Sequence, residues 1–94
     1  MSQHNQKFES AMFEYCSTVA ERAYKLIEDG DTDNGLNKLG HLADVLQFLV
    51  DARTSTGTTG IGVFANSLKD LEEIEKDEVY THLQANGFGQ FIAE

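Results

Sequence analysis

Residues 36–50 read LNKLGHLADVLQFLV, and their periodicity predicts an α-helix. Apolar residues return every three or four positions, the spacing of one helical face. They are Leu36, Leu39, Leu42, Ala43, Leu46, Leu49 and Val50. Val45 and Phe48 lie off that line and extend the apolar surface past half of the helix, which predicts a central position or a dimer interface. Gly40 is less favourable in a helix than alanine by about 1 kcal/mol, so we predict that another helix crosses closely there.

The segment before this helix predicts a second, longer one. Its apolar stripe consists of Phe8, Met12, Cys16, Val19, Ala23 and Ile27, widened by Phe13, Ala20, Tyr24 and Leu26. The width of the stripe indicates contact with more than one neighbour. The expected end signals are a cap at Ser2 or Asn5, a left-handed stop at Gly30, and a cap for the next helix at Asp31 or Asp33.

The segment after residue 60 predicts a third helix, preceded by a loop of Thr, Ser and Gly over residues 54–60. Its stripe is Ile61, Phe64, Leu68, Leu71 and Ile74, and Thr58 or Thr59 is expected to cap it. The next apolar residue, Val79, follows after five positions, which predicts a kink or break over residues 75–77. Asp77 would then cap a last helix that ends at Asn86 and Gly87, while an unbroken helix is the alternative.

The C-terminal tail is too apolar to be a free end, so Phe88, Phe91 and Ile92 are expected to fold back and close the core. Residues 1–94 contain no proline and are predicted to form a single domain. The fold class that follows is all-α, an antiparallel bundle of three main helices plus a short C-terminal one. A chain of this size has a thin stability margin. The wide apolar stripes therefore predict a homodimer through the first or second helix.

The charge balance restricts the partners. Sixteen Asp and Glu against seven Lys and Arg give a formal net charge of −9. This charge argues against direct binding to nucleic-acid backbones or to anionic membranes. No apolar run approaches the roughly 18 residues of a membrane span, and Cys16 is the single cysteine. We therefore expect a cytoplasmic protein without an internal disulfide.

Three features of the sequence bear on chemistry. Asp29, Asp31 and Asp33 resemble the first, third and fifth positions of a calcium-binding helix-loop-helix, which leaves a degenerate site of that kind as one alternative. Its twelfth position is Gly40, which supplies no carboxylate. The three histidines are scattered and are expected on the surface. No nucleophile or phosphate-binding motif is present, so the sequence predicts no enzyme activity, no cofactor and no metal.

An acidic segment follows the third stripe. Its carboxylates are Asp70, Glu72, Glu73, Glu75, Asp77 and Glu78, beside two lysines. On one helical face they form a negative strip that fits a basic groove of a partner protein. Such a strip also imitates phosphate spacing. In length and charge the chain resembles short acidic proteins that block nucleases or defence complexes, as in phage counter-defence, which gives a second alternative: an inhibitor that mimics nucleic acid.

The apolar excess on the first two helices points to a different surface. Small acidic secretion and flagellar chaperones are similar at this level, being cytosolic helical proteins that cradle an export substrate. By this reasoning we expect a protein-binding module, an adaptor, chaperone or inhibitor. Its apolar groove is expected near Leu39, Leu46, Phe48 and Leu49, flanked by acids.

Overall fold

The computed structural model describes residues 3–53 and 60–91. Within them the chain forms four α-helices: α1 (Gln3–Glu28), α2 (Thr32–Asp51), α3 (Ile61–Ser67) and α4 (Glu73–Ala85). Two 3₁₀ turns, Leu68–Asp70 and Gly89–Phe91, follow α3 and α4. The described part of the chain is therefore all-helical, as predicted, with two long helices and two shorter ones in place of three main helices and a short one.

The longest element, α1, confirms the prediction of one uninterrupted helix. Gly30 ends it with φ +93°, the left-handed conformation expected of it. The Asp31 amide donates to the Leu26 carbonyl at 2.8 Å and the Gly30 amide donates to the Ile27 carbonyl at 3.1 Å. These two bonds form a Schellman motif, which satisfies carbonyls at the helix end. A turn of three residues thus reverses the chain, and α2 runs antiparallel along α1.

The predicted start signals are only partly met. Asn5 lies inside α1, and Ser2 is outside the described residues. Asp31 occupies the residue before α2, yet its carboxylate accepts a hydrogen bond from the Asn34 side chain at 2.9 Å and makes no capping bond to the backbone. Asp33 lies in the first turn of α2, where its negative charge meets the positive end of the helix dipole.

The buried face of α2 is not the side on which most of its leucines lie. Leu36 and Val50 are 55% and 62% exposed, while Val45, placed off the line by the sequence, is fully buried. The core-facing residues of α2 are Gly35, His41, Val45 and Leu49, with Leu42 and Phe48 partly buried beside them. α2 carries apolar residues on two faces, as the wide stripe predicted, and the chain itself covers only the face that contains Val45.

The close helix crossing lies at Gly35 and not at Gly40. A Cβ added at Gly35 would lie 2.5 Å from Ile27 Cγ1 and 3.0 Å from the carbonyl oxygen of Ala23. A Cβ added at Gly40 would meet nothing within 4 Å. Only a residue without a side chain lets the backbones of α1 and α2 approach this closely just after the turn. Gly40 is left exposed on the side of α2 that the chain itself does not cover.

The chain breaks earlier than residues 75–77. Leu71 and Glu72 take extended backbone conformations, with ψ of 157° and 153°. α4 then begins at Glu73, so Asp77 lies inside that helix and does not cap it. The break changes the helix direction and the phase of the apolar pattern, which leaves Ile74 77% exposed. Both the predicted position of the break and the alternative of an unbroken helix are therefore wrong.

The C-terminal end closes the core as expected at Phe88. This residue is 3% exposed, and its ring meets the ring of Phe8 edge to face with centroids 5.3 Å apart. Phe8 in turn meets Phe64 of α3 at 5.5 Å. Gly87, at φ +87°, turns the chain after α4 and allows this return. Phe91 lies in the final 3₁₀ turn, whereas Ile92, Thr58 and Thr59 fall outside the described residues.

Gly35→Ala should destabilise the fold. The added methyl group forces the two helices apart, and overpacking of this kind costs about 1 to 3 kcal/mol, which exceeds the roughly 1 kcal/mol gain in helix propensity. Gly62→Ala is the matched control, because a Cβ at that helical position meets nothing within 4 Å. Urea denaturation measures both. Equal or greater stability of Gly35→Ala would contradict the close approach.

Candidate functional site

A buried polar cluster joins α1, α2 and α4. The Tyr15 hydroxyl lies 2.7 Å from His41 Nε2, and both residues are at least nine-tenths buried. On the other side of the imidazole, Glu75 Oε2 lies 3.2 Å from His41 Nδ1. That oxygen is close enough for an ion pair with a protonated ring, but it lies outside hydrogen-bonding geometry, so Nδ1 lacks a directed hydrogen bond. Tyr15, His41 and Glu75 thus form a linear array across three helices.

The protonation of this array follows from its surroundings. Burial raises the pKa of Tyr15 above its usual range, and the negative charge of Glu78 raises it further. A protonated phenol donates its hydrogen, which favours Nε2 of His41 as the acceptor. The proton of a neutral ring then resides on Nδ1, the nitrogen that faces the Glu75 carboxylate. The hydrogen bond from Tyr15 thus fixes the tautomer of a neutral His41 ring.

An ion pair lies next to this array. Lys38 Nζ is 3.1 Å from Glu78 Oε1, and both side chains are about one-third exposed. Lys38 and His41 are three residues apart on α2, as are Glu75 and Glu78 on α4, so two matched contacts hold the N-terminal half of α4 against α2. A cavity of about 280 Å³ lies between them, lined by Asn34, Asn37 and Leu26 in addition to these residues.

His82 occupies a separate polar position between α4 and α1. Its Nε2 lies 2.7 Å from the carbonyl oxygen of Ala11. A carbonyl only accepts hydrogen bonds, so Nε2 carries the proton. The Asn86 side-chain amide lies 3.4 Å from the same nitrogen but donates at 2.8 Å to the His82 carbonyl. The rings of Tyr15 and His82 are 5.2 Å apart, so both histidines border Tyr15.

The surroundings of Tyr15 and Cys16 favour the protonated forms of both side chains. Burial raises the pKa of the Tyr15 phenol, and it raises the pKa of the adjacent Cys16 thiol. The contacts of Tyr15, His41 and Glu75 connect three helices, α1, α2 and α4.

The other notable feature is an exposed apolar surface on the α1–α2 hairpin, which we call the outer face. Its side chains are exposed and lie outside the buried core. Its large side chains are Phe13, Tyr24 and Ile27 of α1 and Leu36, Leu39, Leu46 and Val50 of α2. All seven are 37–65% exposed. At one end, Phe13, Leu46 and Val50 line a cavity of about 330 Å³ together with Glu9, Leu49 and Arg53.

The four residues of the predicted groove do not lie together. Leu39 and Leu46 are on the outer face, and Leu49 is buried beneath the cavity at its end. Phe48 points to the opposite side of α2, where it packs against the core. The predicted groove therefore combines residues from both faces of α2. The exposed apolar surface also includes residues of α1, which the prediction did not contain.

The predicted acidic strip is divided between two environments. Glu75 and Glu78 face α2 and contact His41 and Lys38. Glu73 contacts Lys76 at 3.0 Å on the surface and is itself largely exposed. Asp70, Glu72 and Asp77 are exposed. The exposed negative surface thus has four of the six predicted carboxylates, because Glu75 and Glu78 contact α2.

The aspartate-rich turn has a different form from a calcium loop. Three residues separate α1 from α2, and Asp33 already lies within α2. In the described residues no group of three or more His, Cys, Asp or Glu side chains converges as a metal site. Among the helices of residues 3–53 and 60–91, none combines the length and apolarity that a membrane crossing requires.

The sequence predicts His41 on the surface and assigns no role to Tyr15. The structure buries both. The burial of His41 could have been predicted from its spacing to Val45 and Leu49. These residues follow one another every four positions and define a second helical face of α2. It was obscured by the more regular leucine line, which carries the larger number of apolar residues.

Comparison with protein-family models, curated proteins and solved structures gave no match to this chain.

The raised pKa of Tyr15 predicts a loss of stability at alkaline pH. Its contribution is complete below about pH 10, the ordinary pKa of tyrosine, and is lost as the pH rises through that value toward the higher folded pKa. We expect the free energy of unfolding to fall by up to about 1.4 kcal/mol per pH unit there. Tyr15→Phe should remove this slope.

The measurement is urea denaturation between pH 8 and 11, in a Cys16→Ala background that excludes thiol ionisation. Tyr24→Phe is the matched control, since Tyr24 is 65% exposed, and it should retain the slope. At neutral pH, Tyr15→Phe should also lose about 1 kcal/mol from the missing hydrogen bond to His41. An unchanged alkaline slope in Tyr15→Phe would show that the phenol is not held protonated by the fold.

Proposed function

We propose that this protein is a non-enzymatic, cytoplasmic protein-binding module that docks its partner on the outer face of the α1–α2 hairpin. The observation that carries the proposal is the exposure of seven large apolar side chains on one surface. Single exposed apolar residues are common in proteins, but contiguous patches above a few hundred Å² mark interaction sites. The outer face has two neighbouring rows of apolar side chains, so we count it as a contiguous patch and not as scattered single residues.

The distribution of charge supports the same surface. The chain has sixteen acidic and seven basic residues. Among the described residues of α2, helical spacing places the charged ones outside the row of Leu36, Leu39, Ala43, Leu46 and Val50. The uncharged residues that helical spacing places between the apolar ones are Ser17, Ala20, Gly40, Ala43 and Gln47. Interface centres are depleted of charge in this way, while the charged rim stays solvated. The acidic residues thus keep the protein in solution without entering the docking surface.

The shape of the surface favours a helical partner. Two antiparallel helices leave a shallow groove between them, into which an apolar helix inserts side chains at intervals of three and four residues. The cavity beside Phe13, Leu46 and Val50 gives such a side chain an anchor point. An adaptor, a chaperone and an inhibitor would all use this mode of binding.

Val50→Asp should abolish partner binding while leaving the fold intact. Val50 is 62% exposed on the outer face, so a charge there enters the interface and not the core. Val63→Asp is the matched control, because Val63 of α3 is 57% exposed and lies off that face. The two variants and the unmodified protein serve as bait for quantitative affinity capture from the native host, after circular dichroism has verified equal helicity. A partner retained equally by both variants would contradict docking on the outer face.

The alternative is an inhibitor that mimics nucleic acid through its acidic strip. Four exposed carboxylates, Asp70, Glu72, Glu73 and Asp77, support it. Mimicry predicts that affinity for the captured partner falls by orders of magnitude with rising salt, whereas apolar docking changes little. The double variant Glu72→Lys and Asp77→Lys leaves the Glu75 and Glu78 contacts intact. Loss of binding in this variant, with retention in Val50→Asp, would favour mimicry over the proposal.

A further inference from the structure

We infer that a second copy of this chain covers the outer face, with the two hairpins antiparallel and α2 packed against α2. The inference rests on the proposed function and names the partner that the face fits. Two stacked hairpins form a layer of four helices, with α3 and α4 of each copy on the outside. Burial of one shared apolar surface in this way adds to the modest core of a 94-residue chain.

The spacing of the exposed residues is that of helices packed side by side. On α2, Leu36, Leu39, Ala43, Leu46 and Val50 follow one another at steps of three, four, three and four. On α1, Phe13, Ala20, Tyr24 and Ile27 keep the same register at steps of seven, four and three. This heptad spacing is the pattern of long helices that cross at a small angle, as in bundles and coiled coils. It occurs here on the side of each helix that the chain leaves uncovered.

Small residues at the middle of the face fit a two-fold axis there. Ala43 lies at the centre of the α2 row with Gly40 beside it, and the space above Gly40 is open. An axis through Ala43 places Leu46 of one copy opposite Gly40 of the second copy, and Leu36 opposite Val50 of the second copy. A large side chain then meets a gap on each side of the axis, which is the self-complementarity that a two-fold interface requires. This contact accounts for a glycine inside α2 that has no neighbour in its own chain.

Charge selects the antiparallel arrangement. The turn between α1 and α2 carries Glu28, Asp29, Asp31 and Asp33, whereas the other end of the outer face carries Arg53 beside Glu9. With the turns of the two copies side by side, eight carboxylates would lie close together. The antiparallel arrangement separates the turns by the length of a helix, roughly 30 Å for 20 residues, which exceeds the Debye length of about 8 Å at physiological salt.

The size of the face is sufficient for a stable dimer. Two helices side by side are roughly 20 Å wide and the shared length is roughly 30 Å, so each copy contributes roughly 600 Å². The total of roughly 1,200 Å² lies at the lower end of specific protein interfaces. Because the surface is apolar and free of charge at its centre, an area of this size supports association without a charged partner.

Cysteine cross-linking tests both the dimer and its direction. In a Cys16→Ala background, Ala43→Cys lies beside the two-fold axis and should form a disulfide-linked dimer under mild oxidation. Leu36→Cys alone and Val50→Cys alone should remain unlinked, because their partners lie beyond the Cα separation of about 7 Å that a disulfide spans. An equimolar mixture of these two variants should give the mixed dimer. Circular dichroism of each variant verifies the fold.

Light scattering of the unmodified protein supplies the independent measurement, with twice the mass of one chain expected, and the mass of one chain expected for Val50→Asp. A single-chain mass for the unmodified protein up to millimolar concentration would overturn the inference. Disulfide formation by Leu36→Cys alone, without the mixed dimer, would also overturn the inference.

If the protein is a monomer and Val50→Asp still loses a captured partner, the inference fails while the proposed function stands. If the protein is a dimer and Val50→Asp keeps twice the mass of one chain, the outer face is not the interface and the inference is overturned.

Discussion

The close contact between α1 and α2 at Gly35 sets the register of the whole protein. Gly30 reverses the chain in three residues, and Gly35 then brings the α2 backbone against Ala23 and Ile27. Once these points are fixed, each later turn of α2 meets a defined turn of α1. Tyr15 lies opposite His41 for that reason, although 26 residues separate them in sequence. The placement of α4 follows, because Glu75 and Glu78 contact the residues that this register presents.

The sequence was most informative where one helical face carried nearly all of the apolar residues. In α1 the line from Phe8 to Ala23 is the buried face, and the left-handed stop at Gly30 was readable because glycine favours that conformation. In α2 the periodicity predicted the helix, but it did not predict which side of the helix is buried. Two apolar faces satisfy the same spacing, and the choice between them depends on contacts with α1 that no local pattern contains.

The break at Leu71 and Glu72 and the polar cluster were beyond prediction for a related reason. Leu71 continues the apolar stripe of α3 and is buried, so its spacing gives no sign that the backbone becomes extended there. His41 and Glu75 meet only after that break has redirected α4 toward α2. A sequence shows a histidine among leucines and a glutamate in an acidic run. Their proximity, and the raised pKa of Tyr15 beside them, arise from the tertiary structure alone.

The surplus of apolar residues on α2 now has a physical explanation. A buried polar array of Tyr15, His41 and Glu75 occupies part of the interior, and the hydrogen bond between the first two residues has no counterpart on the leucine face. Turning α2 to bury the leucines would expose Val45 and leave Tyr15 without its acceptor, and an unpaired buried hydroxyl costs about 1 to 3 kcal/mol. The chain therefore buries the face that gives the Tyr15 hydroxyl its acceptor, and the leucine face remains for association with another molecule.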